Sequence, residues 1–335
     1  PPRDLATAAA NPLVVPDSST NVPPWHFGML NDTARNEAFD KAIGLALADL
    51  QSQGRVGADG ALVLDVGAGT GLLAMMAVRA GAAQAVCCEG DPTIAETASR
   101  IIAANDCQDR VKVVAKLSRE LELGCDLPRR ADLVVAELLD CGLLGEGILP
   151  SLRHARQGLA LDHAVSIPAG ASLFAVPIES FPQPAALAGP CLSPSNGVGG
   201  VSGFDFGAYG VFRPQSYEQI WLPSLEHRRL TEVQAIFDFD FFEPTHEECR
   251  ERQMRVKLLP QVAAEGAVCH AVAFWFRTRL YGDVYIHNEP SGEKRHWLQA
   301  LLHLPEPVKL QGDELILTAT HKRTSVSFHV AAASQ

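Results

Sequence analysis

The sequence predicts an α/β fold, a doubly wound parallel sheet, followed by an all-β barrel or sandwich. Up to residue 136, short apolar runs alternate with helical stretches, which is the pattern of parallel strands joined by crossover helices. Beyond Pro168 the helical periodicity gives way to short alternating runs typical of antiparallel strands. A chain of 335 residues is long enough for two domains with separate cores. We therefore expect one domain over residues 25–167 and a second over 168–335.

Two segments precede the first predicted strand. Residues 1–24 are rich in Ala, Pro, Ser and Asn without periodicity, and we interpret them as a loosely ordered lead-in. A helical pattern follows over 35–50, with Asp32 as its predicted N-cap. Arg35 lies on the first turn, where a cation gains nothing from the helix dipole. It is therefore either a solvated surface side chain or a group that binds a ligand carboxylate bidentately.

A strand, a glycine turn and a helix come next. The apolar run 61–66 predicts a buried parallel strand, and residues 72–79 are good helix formers without a breaker. Three glycines at alternate positions separate them: Gly67, Gly69 and Gly71. A second predicted strand, 84–88, ends at Glu89, about 20 residues beyond the glycines, where nucleotide-binding folds place the carboxylate that accepts from ribose hydroxyls. A ribose-bearing ligand is expected at this turn.

The carboxylate of Asp65 beside the glycines distinguishes between an anionic and a cationic ligand. A dinucleotide fingerprint has the spacing G-x-G-x-x-G and places a pyrophosphate on the helix N-terminus. Here the pattern is D-V-G-A-G-T-G, and the carboxylate of Asp65 would repel an anion. A ligand with a protonated amine and a sulfonium would instead be attracted, and the glycines let it approach the backbone closely. The alternative is a glycine turn that binds nothing.

The remaining strands of the first half lead to two acidic residues. A helix is predicted over 92–105, a third strand over 111–115 and a fourth, buried on both faces, over 131–136. Ligands of such sheets lie beyond the carboxyl ends of the strands, so the loop after the fourth strand belongs to the site. It carries Glu137 and Glu146. These acids are open to four interpretations: a general acid and base, a metal site, a clamp for a guanidinium, or solvated surface groups.

Composition limits the classes of function. The net charge of −11 argues against binding to a phosphate backbone and suits a basic substrate. The eight cysteines include no C-x-x-C pair, which indicates reduced thiols, an intracellular protein and no zinc site. The longest apolar stretch, 66–78, is too short and too rich in glycine to span a bilayer. No signal peptide is visible, although the chain begins at Pro1 and its true N-terminus is therefore expected to be missing.

The second half contains seven predicted strands and one long interruption. The strands are expected at 172–177, 232–237, 268–277, 283–287, 300–304, 315–320 and 324–330. Between them, residues 182–223 are rich in Gly, Pro and Ser and carry Phe204, Phe206, Tyr209 and Trp221. A segment that exposes aromatic side chains indicates an interface, whereas the alternative is a loop packed on its own domain.

Residues 25–179 resemble the catalytic core of the protein arginine N-methyltransferases. Three segments carry the resemblance: M-L-N-D-x-x-R-N at 29–36, V-L-D-V-G-A-G-T-G at 63–71 and E-L-L-D-C-G-L-L-G-E-G-I-L-P-S at 137–151. Within the family, G-L-L-A-M-M-A-V at 71–78 is most similar to the type III branch, arginine methyltransferase seven, whose product is monomethylarginine. The segment W-H-F-G-M-L-N-D at 25–32 is similar instead to the ninth-numbered relative, which forms symmetric dimethylarginine.

The resemblance implies a Rossmann-like methyltransferase domain and a role for each matching residue. Arg35 would bind the carboxylate of S-adenosylmethionine, Glu89 its ribose, and Ser118 would lie beside its adenine. The full set of implied cofactor-binding residues is Arg35, Asp65, Gly67, Gly69, Gly71, Glu89 and Ser118. The residues that would hold or shape the substrate guanidinium are Glu137, Glu146, His296 and Met29. His296 belongs to an Arg-His-Trp segment at 295–297 that matches the family's Thr-His-Trp loop.

The sequence therefore predicts an S-adenosylmethionine-dependent protein arginine N-methyltransferase that forms monomethylarginine and S-adenosylhomocysteine, without a metal. The resemblance implies arginine-rich substrates such as histone tails and glycine-arginine tracts, and a homodimer through an arm at 182–223. Nucleic acid and membrane are not expected as partners, and the location is expected to be the cytoplasm or the nucleus. The rival readings are a symmetric dimethyltransferase, a catalytically silent scaffold of the same fold and, disfavoured by Asp65, a nicotinamide oxidoreductase.

Overall fold

The computed structural model describes residues 25–180, 200–201, 204–205, 217–243, 249–291 and 296–333. The helices are α1 (Trp25–Leu30), α2 (Thr33–Ser52), α3 (Leu72–Arg79), α4 (Pro92–Ala104), α5 (Ile148–His154) and α6 (Pro260–Glu265). Strands of the first half are β1 (Leu62–Val66), β2 (Gln84–Cys88), β3 (Val111–Val114), β4 (Ala131–Ala136) and β5 (Ala160–Ile167). None of the helices among these residues is long and apolar enough to cross a membrane.

The first half is a parallel sheet of five strands in the order β3-β2-β1-β4-β5. Strands β1 and β4 lie side by side at its centre and are buried along their whole length, as expected for continuous apolar runs in a parallel sheet. The strand order reverses between them, and Val66 pairs with Ala136. The glycine turn after β1 and the loop after β4 therefore leave the sheet side by side, at the position where ligands bind in such folds.

The predicted elements of the first half agree closely with the structure. The four predicted strands and the helices α3 and α4 end within a residue or so of their expected positions. Strand β5 was not predicted, because Asp162 and His163 are exposed and interrupt its apolar pattern at the edge of the sheet. The predicted N-cap of α2 is confirmed, since the side chain of Asp32 accepts a hydrogen bond from the Arg35 backbone N–H (3.0 Å).

The second half consists of antiparallel strands. These are β6 (Gly170–Ser180), β7 (Gly200–Val201), β8 (Phe204–Asp205), β9 (Glu218–Ile220), β10 (His227–Arg229), β11 (Gln234–Asp240), β12 (Arg250–Lys257), β13 (Ala267–Tyr281), β14 (Val284–His287), β15 (Gln299–Leu310), β16 (Glu314–Lys322) and β17 (Ser325–Ala332). A seven-stranded sheet contains β10-β6-β13-β15-β9 with β11 and β14, and a three-stranded sheet contains β12-β16-β17. The predicted fold class, a parallel α/β half followed by an antiparallel β half, is confirmed.

Several predictions fall wholly or partly on residues that the structure does not describe. The lead-in 1–24 lies outside the described residues, and so does most of the predicted arm. Of that arm the described parts are the short pair β7 and β8 and the segment from Tyr217 onward. Phe206 and Tyr209 are outside the described ranges, as is Arg295. The arm as a docking element therefore stays a prediction.

Candidate active site

The glycine turn after β1 is closely packed on one side and open on the other. Gly67, Gly69 and Gly71 all have positive φ angles (69°, 53° and 78°), a backbone region that favours glycine. A Cβ atom on Gly67 would lie only 2.5 Å from Leu138 Cδ2, whereas one on Gly69 would meet nothing within 4 Å. The space beyond Gly69 is thus available to a ligand that approaches the backbone.

Asp65, on the strand before this turn, has a hydrogen-bond partner for only one of its two carboxylate oxygens. Its Oδ2 accepts a hydrogen bond from the backbone N–H of Ala74 (3.0 Å) in the first turn of α3. Its Oδ1 is buried and has no hydrogen-bond partner among the described residues. The pKa of Asp65 is raised to about 7, mainly by burial and also by the charge of Glu89, against the lowering effect of the Ala74 hydrogen bond. A buried, unsatisfied carboxylate oxygen calls for a cation or a hydrogen-bond donor from outside the chain.

Glu89 and Ser118 lie in neighbouring segments beside the same turn. Glu89 accepts from the backbone N–H groups of Gly69 and Asp91, each at 2.9 Å, and so fixes the glycine turn to the end of β2. Ser118 is half-buried in the short turn that follows β3. The preceding Leu117 packs over Gly90, where a Cβ atom would lie 2.6 Å from Leu117 Cδ2. These segments form one side of the space beyond the glycines.

Arg35 points into the site rather than into solvent. Its side chain is buried, and its guanidinium lies over the rings of Phe39 and Trp297 at 5.4 and 5.8 Å. One Nη donates to Asn36 (2.7 Å) and the other forms an ion pair with Glu137. The Nε–H has no partner among the described residues. The surface interpretation of Arg35 is therefore wrong, and its Nε–H is available to a ligand.

The two loop glutamates share an acidic region with Arg35. Glu137 follows β4 directly and is held by the ion pair with Arg35 and by the backbone N–H of Leu139 (3.3 Å). Glu146 is accessible to water, yet its pKa is raised to about 8, mainly by burial and also by the charges of Glu137 and Asp140. Arg35 opposes this shift. A carboxylate that is accessible but poorly solvated lies in a concave site, and a second guanidinium would neutralise it.

Side chains from the antiparallel half hold the loop that carries these glutamates. Tyr217 donates its hydroxyl to Asp140 Oδ2 (2.7 Å), and Asp140 Oδ1 accepts from the Gly145 backbone (2.9 Å). Trp297 Nε1 donates to the Leu139 carbonyl (2.8 Å). Asn288 Nδ2 donates to the Cys141 carbonyl (2.9 Å). The roles of Asp140, Tyr217 and Asn288 were not predicted, because their partners lie far away in the chain or carry no local motif.

His296 contacts α1 and the N-cap of α2 at the side of the candidate site. The backbone N–H of His296 donates to Asp32 Oδ2 (3.3 Å), and a Cβ atom on Gly28 would lie 3.4 Å from His296 Nδ1. Burial lowers the pKa of His296, while the nearby charge of Glu137 opposes that shift. Met29, one residue after Gly28, is half-buried on α1. His296 is therefore beside Arg35 and Glu137, whereas the contact of Met29 with a substrate stays a prediction.

Comparison with known proteins identifies relatives for both halves. Residues 44–144 match the family described as ribosomal protein L11 methyltransferase (PrmA), and residues 215–331 match the arginine methyltransferase oligomerization subdomain. An arginine N(omega)-methyltransferase of Streptomyces achromogenes subsp. streptozoticus is 34% identical over 296 residues, which are 88% of this chain and 75% of that protein. Protein arginine N-methyltransferase 7 of Drosophila ananassae is 32% identical over 90% of this chain, which spans 46% of that relative's length.

Two solved structures share the fold. The Trypanosoma brucei PRMT1 enzyme-prozyme heterotetrameric complex with AdoHcy aligns with a TM-score of 0.71 and 21% identity, covering 92% of this chain and 93% of the other. Arabidopsis thaliana protein arginine methyltransferase 10 aligns with a TM-score of 0.65 and 17% identity, covering 90% and 97%. At these identities the likeness concerns the fold, and it extends over both halves of the chain.

Proposed function

The chain belongs to the protein arginine N-methyltransferase family, and on that premise we propose that it transfers one methyl group from S-adenosylmethionine to an arginine guanidinium. The observation that carries the proposal is the position of Glu137 and Glu146. They lie on one loop at the carboxyl end of β4, directly beside the glycine turn of β1. A methyl donor above the glycines would face a guanidinium held by the glutamates.

The residues around the glycine turn fit the cofactor. The unsatisfied Oδ1 of Asp65 suits its ammonium group, and the free Nε–H of Arg35 suits its carboxylate. The open space above Gly69 admits its methionyl part, with Glu89 within reach for the ribose and Ser118 for the adenine side. When bound, S-adenosylmethionine supplies an electrophilic methyl group.

The chain's own contribution is electrostatic and positional. Glu137 and Glu146 neutralise the guanidinium, fix its plane and present one terminal nitrogen toward the glycine turn. Arg35 holds Glu137 in place through their ion pair, and Asp140 holds the loop between the glutamates. The raised pKa of Glu146 implies that binding of a guanidinium favours its ionised form and releases a proton at neutral pH.

Monomethylarginine is the proposed product, supported by the relatives named protein arginine N-methyltransferase 7. Arginine-rich proteins, such as histone tails or glycine-arginine tracts, suit the net charge of −11. Free arginine is a second candidate substrate, because the name of the Streptomyces relative specifies arginine without a protein. A homodimer is supported by the match of residues 215–331 to an oligomerization subdomain. That match covers only the end of the arm at 182–223, so a contact through the arm stays a prediction.

The decisive experiment is mass spectrometry of the products formed from S-adenosylmethionine with an arginine-rich peptide and, separately, with L-arginine. We expect one methyl group on one guanidinium nitrogen, no dimethylarginine at long incubation and product formation about 100-fold slower or more in Glu146→Gln. Glu96→Gln, which alters an exposed acid on α4, should leave the product unchanged. Symmetric dimethylarginine would contradict monomethylation. Failure to bind S-adenosylmethionine, or to methylate either substrate, would favour a silent scaffold.

A further inference from the structure

A cavity lies at the opposite end of the parallel sheet from the glycine turn, beside the amino ends of β1 and β4. Its volume is about 690 Å³, within the usual range for small-molecule sites. It borders Asp132 near the start of β4 and the segment that precedes β1, whereas the glycine turn and the glutamate loop follow the far ends of these strands. The charged residues that line it are Arg55, Arg129, Arg130, Asp59 and Asp132, and His163 lines it as well.

One of the three arginines is already neutralised. Arg129 donates to Asp132 Oδ2 (2.8 Å) and to the Gly60 carbonyl (2.7 Å). Asp132 is buried and also accepts from the backbone N–H of Leu62 (2.7 Å). This pair has a structural role, since it ties the start of β1 to the start of β4.

The other two arginines have uncharged partners. Arg55 donates to Gln53 Oε1 (3.1 Å) and to the His163 carbonyl, and Arg130 donates to the Ala160 carbonyl (3.3 Å). Both are half-buried, and neither forms an ion pair within the described part of the chain. A partly desolvated guanidinium without a counter-ion is unfavourable, and two of them line one cavity in a protein of net charge −11. An anion from solution would neutralise both groups.

We propose that this cavity binds a small molecule with two or more phosphate or carboxylate groups. The arginines donate to the carbonyls of Ala160 and His163, which lie three positions apart on β5 and therefore about 10 Å apart along the strand. That separation suits an elongated polyanion better than a single phosphate, and the planar fork of each arginine can hold one oxyanion bidentately. Val56 and Leu161 line the cavity as apolar walls for the carbon body of the ligand. Exposed Asp59 lies on its rim and weakens anion binding.

Calorimetric titration with pyrophosphate, citrate and inorganic phosphate at low ionic strength tests the site. We expect saturable binding of at least one of the two polyanions, one per chain, and weaker binding of phosphate. Arg55→Gln and Arg130→Gln should each weaken binding about tenfold, and Asp59→Asn should strengthen it. Arg100→Gln, at an exposed arginine on α4, is the matched control and should change nothing.

Two results would overturn the proposal. One is the absence of saturable binding for both pyrophosphate and citrate. The other is an affinity that is unchanged in Arg130→Gln and Arg55→Gln, which would show that these arginines only satisfy backbone carbonyls. If either arginine variant unfolds, Asp59→Asn still decides, because this exposed residue can change affinity without changing the core. The site lies outside the methyl-transfer residues, so failure here leaves the proposed function unaffected.

Discussion

Three of the four carboxylates proposed to face the cofactor or the substrate also accept hydrogen bonds from the backbone. Asp65 accepts from the Ala74 backbone N–H in the first turn of α3, and Glu89 accepts from that of Gly69 in the glycine turn. Glu137 accepts from the backbone N–H two residues onward. Glu146 differs, because water reaches it and its pKa is nevertheless raised to about 8. If a guanidinium binds as proposed, Glu146 is the acidic group whose charge state should change most.

The raised pKa of Glu146 predicts the pH dependence of turnover. Below pH about 8 the neutral form predominates in the empty site, and a neutral carboxyl attracts a guanidinium less strongly. At saturating cofactor, kcat/KM for an arginine peptide should therefore rise with pH, with a midpoint at or below about 8 because the positive sulfonium of the cofactor favours the ionised form. Glu146→Gln should lower kcat about 100-fold or more and remove this rise, as expected for the loss of a group that stabilises transferring charge.

Steady-state kinetics between pH 6 and 9 at constant ionic strength check this prediction. Glu96→Gln is the matched control and should reproduce the wild-type profile. A wild-type profile that falls with pH over this range, or a Glu146→Gln variant with the wild-type slope, would contradict it.

At the scale of elements, the sequence predicted the strands that have continuous apolar runs. It missed a strand without such a run and the hydrogen bonds between residues far apart in the chain. Strands β1, β2 and β4 were predicted because their apolar runs are buried on both faces, whatever surrounds them. Strand β12 was missed because its sequence, R-E-R-Q-M-R-V-K, is mostly exposed and charged. The bonds from Tyr217 to Asp140 and from Asn288 to Cys141 join residues 77 and 147 positions apart, so no local pattern could indicate them.

Tyr217 offers a test of how the glutamate loop is positioned. Its ring packs edge-on against Phe274 (4.9 Å between centroids), and its hydroxyl holds Asp140. Tyr217→Phe keeps the ring and removes one hydrogen bond, worth about 0.5–1.5 kcal/mol. We expect kcat to fall about tenfold with little change in cofactor affinity, because the loop that carries Glu146 loses precision.

The control for this variant is Tyr281→Phe, which removes a similar hydroxyl bond to Asp49 (2.9 Å) away from the loop. Initial rates and calorimetric titration with S-adenosylhomocysteine separate turnover from cofactor binding. Equal kcat values for the two variants would show that Tyr217 does not position the loop.

On the scale of the whole molecule, the residues of the candidate active site come from both halves of the chain. The parallel sheet supplies the glycine turn and the glutamates, whereas His296, Trp297, Tyr217 and Asn288 come from the antiparallel half. Helix α2 packs against α3 and also against β13 and β14, and it carries Arg35 at its start. Stability and activity therefore depend on the same contacts.

Replacing the buried Asn288 can measure how much the contact between the two halves contributes to stability. Its Oδ1 accepts from the Phe276 backbone (2.7 Å), and its Nδ2 donates to the carbonyls of Cys141 (2.9 Å) and Leu298 (2.7 Å). Asn288→Ala leaves these backbone groups buried and unpaired, which should lower the free energy of unfolding by about 2–4 kcal/mol. Scanning calorimetry measures the change.

Asn105→Ala, at an exposed residue after α4, serves as the control and should cost less than about 1 kcal/mol. An Asn288→Ala variant as stable as this control would mean that the contact between the halves contributes little. Activity should fall together with stability, because the Cys141 carbonyl belongs to the glutamate loop.

The two glutamates also have a consequence for the choice of chemical denaturant. Guanidinium ion is the head group of arginine, so guanidinium chloride at concentrations well below unfolding should occupy the space between Glu137 and Glu146 and compete with substrate. An unfolding curve in that salt would then combine ligand stabilisation of the native state with denaturation. Urea has no charge to satisfy these acids, and it is the cleaner reagent for this protein.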